Sequence, residues 1–113
     1  MIKIYHNPRC RKSRETLHIL EEQNKAVTIV KYLEQPPTES ELRMIIEQLG
    51  ITPEQLIRKG ETLWKTNFKG QSLSDDELIA IMVRHPKLIE RPIVISDKGA
   101  RIGRPPENVI DII

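Results

Sequence analysis

Short apolar runs open and close this chain, and amphipathic helical patterns fill its middle. Ile2-Lys3-Ile4-Tyr5 reads as a strand over Ile2–His6. The following segment predicts a helix from about Cys10 to Asn24, with Leu17 and Leu20 on its inner face. Val27-Thr28-Ile29-Val30-Lys31-Tyr32-Leu33 is β-branched and compact, a second strand. Two strands joined by one helix within so short a span form a βαβ unit with parallel strands.

Pro36-Pro37 stops the second strand. Thr38-Glu39-Ser40-Glu41 is a capping box, and Leu42, Ile45, Ile46 and Leu49 share one helical face before Gly50 ends the helix. Thr52-Pro53-Glu54-Gln55 opens a short helix with Thr52 as N-cap and Pro53 in the first turn. Ser74-Asp75-Asp76-Glu77 opens another, carrying Leu78, Ile79, Met82 and Val83 and ending in Arg84-His85 before Pro86. Residues 38–88 thus read as a helical insert. Leu63, Trp64 and Phe68 within it read as core. The chain then returns to strand. Pro92–Ser96, a turn at Asp97-Lys98-Gly99, and Ala100–Gly103 make a hairpin, and Pro105-Pro106-Glu107 leads into a last helix over Asn108–Ile113. The order β-α-β, insert, β-β-α predicts one α/β domain over residues 1–113. Its mixed four-stranded sheet has helices against it, the thioredoxin-like layout. The loops after the first strand and around Pro92 meet at one end of such a sheet.

Composition narrows the function. The 113 residues suit one domain with one core, and Lys plus Arg total 18 against 16 Asp plus Glu. No block of one sign marks a nucleic-acid surface. No apolar run approaches the ~20 residues of a membrane span, and no charged lead with an apolar h-region marks a secretory signal. A single cysteine makes no internal disulfide. These features point to a reducing, cytoplasmic setting, with a monomer as the default.

That cysteine carries the candidate chemistry. Cys10 sits between strand and helix, near the unpaired N–H groups and positive dipole end of the helix, with His6, Arg9, Arg11, Lys12 and Arg14 around it. Such a setting favours the nucleophilic thiolate and a partly exposed thiol, against the alternative of a small packed hydrophobe. Cys10-Arg11-Lys12-Ser13 lacks a second cysteine, so any redox cycle borrows an outside thiol. Thr16 stands where a tyrosine-phosphatase loop needs arginine. The three histidines and one cysteine show no metal-ligand spacing, and no glycine-rich nucleotide loop is present. His6 either lowers the thiol's pKa or closes the strand; Asn7 and Ser13 either bond the thiolate or cap the helix. Arg58, Arg91 and Arg104 stand out against a background of solvated arginines. Arg91 and Arg104 each precede a proline and lie at the ends of adjacent strands, where two guanidiniums can grip a tetrahedral oxyanion.

Tyr5-His6-Asn7-Pro8-x-Cys10-x-x-Ser13-Arg14-x-Thr16-Leu17 resembles the active-site start of the glutaredoxin-coupled, ArsC-type arsenate reductases. The likeness continues through Tyr32-Leu33-Glu34-x-Pro36-Pro37, Leu56-Ile57-Arg58-Lys59, His85-Pro86-x-Leu88-Ile89-x-Arg91-Pro92-Ile93-Val94, Gly99-x-Arg101 and Arg104-Pro105. The resemblance implies a cysteine that attacks arsenate, glutathione as co-substrate, glutaredoxin as partner, and no bound cofactor. Carried over by position, Cys10 is the nucleophile, Arg58, Arg91 and Arg104 bind the oxyanion, His6 and Ser13 tune the thiolate, and Pro92 is cis. Two alternatives stand beside it. One is a monothiol glutathione-dependent reductase of another substrate. The other is an Spx-like partner of RNA polymerase, a group that usually carries C-x-x-C where this chain has Ser13.

Overall fold

The Ile-Lys-Ile-Tyr run forms strand β1 (Ile2–Tyr5) in the computed structural model, which describes every residue from Met1 to Ile113. Strand β2 (Val27–Val30) pairs with it in parallel, Ile2 opposite Val27 and Tyr5 opposite Val30. Strand β3 (Ile93–Ser96) lies antiparallel on the other side of β1, and β4 (Gly99–Ile102) antiparallel to β3. The sheet order is β2-β1-β3-β4, which puts both βαβ parallelism and hairpin antiparallelism in one mixed sheet. Gly99 closes the hairpin turn at φ 136°, a conformation side chains rarely adopt.

The chain divides into two compact units, residues 1–35 with 91–113, and residues 36–90. The first holds the sheet. Its helix α1 (Arg11–Glu22) crosses from β1 to β2, with Cys10 in extended conformation as N-cap and Asn24 turning left-handed (φ 56°) just past its end. Ile2 and Ile4 of β1, Val94 of β3 and Leu20 of α1 form the core with Val109 and Ile112, ringed by Leu17, Ile19, Val27 and Ile113. β2 is shorter than the run Val27–Leu33 suggests. The N–H groups of Glu34 and Gln35 both bond the carbonyl of Lys31, winding the chain out of the sheet after Val30. The C-terminal segment is a 3-10 helix (Pro106–Ile112) where an α-helix over Asn108–Ile113 was expected. Consecutive prolines at 105 and 106 offer no N–H, and so short a run gains little from α-helical propagation.

The second unit is helical. It contains α2 (Glu39–Leu49), α3 (Pro53–Leu56), α4 (Thr62–Asn67) and α5 (Asp75–Arg84), then a 3-10 turn (Pro86–Leu88). All three capping boxes form: the N-cap hydroxyls of Thr38, Thr52 and Ser74 accept from Glu41, Gln55 and Glu77, whose side chains reach back. Gly50 ends α2 in the left-handed region at φ 68°. Trp64 is buried and its ring lies 5.6 Å from that of Phe68, centroid to centroid. Phe68 in turn lies 6.0 Å from His85.

One close approach in the first unit can be tested. A Cβ placed on Gly103 would stand 2.5 Å from Thr16 Oγ1 and 2.8 Å from Pro92 Cγ. Both neighbours are buried and held by backbone, so neither can retreat. Gly103→Ala should therefore destabilise the protein by about 1–3 kcal/mol, the usual penalty of overpacking. Gly60→Ala, with open space around the same position, should stay within about 0.5 kcal/mol. Urea denaturation of the two variants makes the comparison.

Candidate active site

The site grows from the turn between β1 and α1. β1 ends at Tyr5, and His6 remains tied to the sheet through its N–H, which donates to the Val30 carbonyl at 2.8 Å. The chain then loops so that Cys10 N–H donates to the Asn7 carbonyl at 3.0 Å, while the Cys10 carbonyl accepts the first helical bond from Arg14. Asn7 Oδ1 accepts from Arg9 N–H at 3.0 Å, and Arg14 Nη1 reaches back to the Pro8 carbonyl at 3.0 Å. The loop is thus fastened at both ends by its own atoms.

Cys10 is N-cap of α1, and its side chain caps no backbone N–H. Its sulfur instead receives Nη2 of Arg104, 3.6 Å away and 94 residues along the chain. Nε of the same guanidinium donates to the Arg91 carbonyl at 2.8 Å. One arginine therefore spans the loop between β1 and α1 and the entrance to β3. Asn108 holds the other end: its amide donates to the Arg104 carbonyl at 2.9 Å. The peptide bonds Arg91–Pro92 and Arg104–Pro105 are both cis. Sequence reasoning singled out Arg104 but gave no sign of Asn108, whose spacing of four residues from Arg104 is an ordinary one.

Cys10 is 7 % exposed, against the partly exposed thiol expected from its polar neighbours. The charged side chains at Arg9 and Arg11 point to solvent, whereas the N-cap side chain folds inward beneath Arg104. His6 and Ser13 are buried as well, and His6 Nδ1 lies 2.6 Å from Ser13 Oγ. Ser13 Oγ also accepts the Asn7 N–H at 3.0 Å. Burial holds the His6 pKa below its ordinary 6.5, and the charges of Lys31 and Arg14 add to the same effect against a small opposing pull from Glu21. The imidazole at neutral pH is uncharged.

Cys10, His6, Ser13, Arg91, Pro92 and Arg104 all belong to the first unit, and Arg58 to the second. There Arg58 Nη1 lies 3.1 Å from Glu61 and its Nε 3.5 Å from Glu90. The backbone around it is fixed too, since Arg58 N–H donates to the Leu88 carbonyl at 2.8 Å. No group of three or more His, Cys, Asp or Glu side chains is placed to hold a metal ion. No helix is long and apolar enough to cross a membrane.

The His6 shift has a consequence for stability. The unfolded chain protonates His6 near pH 6.5, and the folded one only at lower pH. Between those two values the unfolded state holds more protons, so stability falls as pH falls. Above pH 6.5 the contribution is fully present. The urea midpoint should therefore drop between pH 7.5 and pH 5, and His6→Gln should flatten that part of the profile.

Comparison with known proteins fits this geometry. The model of the ArsC family matches residues 5–112. The chain is 49 % identical over 114 residues to the uncharacterized protein YfgD of Escherichia coli K12, covering 99 % of this chain and 96 % of that one. It is 44 % identical over 110 residues to an arsenate reductase of Neisseria meningitidis serogroup B, with 96 % and 94 % covered. The solved structure of an arsenate reductase from Vibrio cholerae superposes with a TM-score of 0.95 at 51 % identity, over 99 % of this chain and 97 % of that one. With its thioredoxin-like fold, its cysteine at the strand-to-helix turn and a family match over nearly its whole length, this chain belongs to the ArsC family.

Proposed function

We propose that the protein reduces arsenate to arsenite through Cys10, with glutathione and glutaredoxin as reductants. The observation that carries the reading is Arg104 donating to the Cys10 sulfur, a fixed cation where an oxyanion must arrive to be attacked. The names of the Neisseria and Vibrio relatives support the same substrate.

The Cys10 sulfur attacks arsenic and an arsenate oxygen leaves as water, forming an S–As bond. A glutathione thiolate then attacks the Cys10 sulfur. An S–S bond forms, the S–As bond breaks with its electron pair on arsenic, and arsenite departs. Arsenic has gained two electrons and the two sulfurs have lost one each. A glutaredoxin thiol takes the glutathione from the mixed disulfide and returns the Cys10 thiolate. The external thiol is required because the chain has no second cysteine. Arg104 and Arg91 serve the oxyanion by planar, forked hydrogen bonding. The resemblance adds Arg58, whose charge is already matched by Glu61 and Glu90. His6 and Ser13 act behind the nucleophile: their mutual hydrogen bond and the Asn7 N–H fix the backbone that leads to Cys10.

The test is arsenate-dependent NADPH oxidation in the presence of glutathione, glutathione reductase and glutaredoxin. Cys10→Ser should abolish turnover with the fold intact. Arg104→Ala should lower kcat/KM for arsenate about ten- to a hundredfold, the equivalent of ~1.5–3 kcal/mol for a hydrogen bond to a charged group. Arg91→Lys should be impaired although it keeps its charge. Arg43→Ala and Arg84→Ala, at exposed positions of α2 and α5, should behave as wild type. Wild-type activity in Arg104→Ala removes the oxyanion role, and full turnover with thioredoxin alone removes the glutathione route. Turnover with another oxidised substrate but not arsenate would favour the monothiol reductase alternative.

A further inference from the structure

A groove of about 230 Å³ opens beside the nucleophile loop. One wall is His6, Asn7, Pro8 and Arg9, the four residues leading into Cys10. The other is Lys31, Leu33 and Glu34, the turn that follows β2. The two walls are tied at their base by the His6 N–H bond to Val30 and by the internal bonds of Glu34 and Gln35 to Lys31. The groove is therefore a standing feature of the first unit, built on both parallel strands at their carboxyl ends.

Its chemistry is mixed. Arg9 and Lys31 are exposed, and neither forms an ion pair within the protein. Lys31 lines the groove opposite His6. Glu34 supplies a carboxylate and Leu33 an apolar surface that is 44 % exposed. An inorganic oxyanion makes no use of Leu33 and is repelled by Glu34. A free organic thiol that carries carboxylates, an ammonium and a short chain between them satisfies all four residues. The volume lies below the ~300–1,000 Å³ of a typical enclosed small-molecule site, so such a ligand is held by one arm with the rest open to solvent.

We propose that this groove binds a carboxylate arm of the thiol co-substrate, a zwitterionic peptide thiol of the glutathione class. Arg9 and Lys31 take the carboxylate, and Glu34 the ammonium. The assignment rests on the reading that an external thiol resolves Cys10, and it deepens that reading by saying where the thiol is held. Binding there places the incoming sulfur next to the loop that ends in the nucleophile, while Arg104 approaches Cys10 from the β3–β4 end.

The experiment needs no arsenate. Reduced protein is mixed with glutathione disulfide, and formation of the Cys10–glutathione mixed disulfide is followed by mass spectrometry. In this exchange the Cys10 thiolate attacks one sulfur of glutathione disulfide, the original S–S bond breaks, and one glutathione thiolate leaves. The same rate is measured with neutral 2-hydroxyethyl disulfide and with an anionic aromatic disulfide, dithiobis(nitrobenzoate). Arg9→Glu and Lys31→Glu should each slow glutathionylation about tenfold, as expected for loss of a charge-assisted hydrogen bond. The ratio of the glutathione disulfide rate to the neutral disulfide rate should fall by that factor in both, a ratio from which any change in the reactivity of the thiol itself cancels. Glu34→Gln should slow glutathione disulfide but not the aromatic anion. Unchanged glutathionylation in Arg9→Glu and Lys31→Glu overturns the proposal. So does an equal loss with both anionic disulfides in every variant, which marks a general charge effect. If these rates behave as expected and arsenate is still not reduced, the groove stands and the arsenate reading falls. If arsenate is reduced and the rates do not respond, the reverse holds.

Discussion

The Arg104 guanidinium is the tie on which the site depends. It bonds the Cys10 sulfur with one nitrogen and the Arg91 carbonyl with another. Arg104 and its two partners lie on three separate segments: the exit from β4, the start of α1 and the approach to β3. β1 and β3 are hydrogen-bonded neighbours in the sheet, so the segments are already close before the arginine joins them. The sheet fixes the distance and the arginine fixes the orientation. A lysine in its place has one nitrogen and can serve only one of the two acceptors at full strength. Asn108 completes the tie by holding the Arg104 backbone from the C-terminal 3-10 helix. That helix is itself anchored in the core through Val109 and Ile112. Packing far from the sulfur thereby reaches it through two hydrogen bonds.

Much of the fold was legible because its signals are local. Each capping box names both partners within four residues, and all three formed as read. The mixed four-stranded sheet followed from the parallel βαβ unit and the hairpin, while its order β2-β1-β3-β4 came only with the structure. The misses share a cause. α4 has Glu61 as N-cap with no side-chain hydrogen bond, so nothing in the sequence announced its start. The end of β2 was set by two N–H groups converging on the Lys31 carbonyl, a competition that β-propensity at Tyr32 and Leu33 does not reveal. The site divides in the same way. His6 and Ser13 lie within eight residues, so their hydrogen bond is local to the turn. The pairing of Arg104 with Cys10 spans 94 residues and was suggested by strand ends and resemblance, never by spacing. The carboxylates on Arg58 were missed for a like reason. Glu61 is three residues away, but Glu90 comes alongside only through the bridge between Ile57 and Ile89.

Burial of the Cys10 sulfur is the remaining constraint. A sulfur that is 7 % exposed has little water around it. Arg104 supplies the hydrogen-bond donor that water does not. His6 would be a second cation beside the same loop if it were protonated. Its burial, with Lys31 and Arg14 nearby, keeps it neutral, and it serves the site through the Ser13 hydroxyl instead. Positive charge beside the sulfur is thereby placed on the Arg104 guanidinium, which keeps it at every working pH, and withheld from the imidazole, which would lose or gain it near neutrality. Acid then acts on the stability of the fold through His6 and leaves the charge on Arg104 as it is.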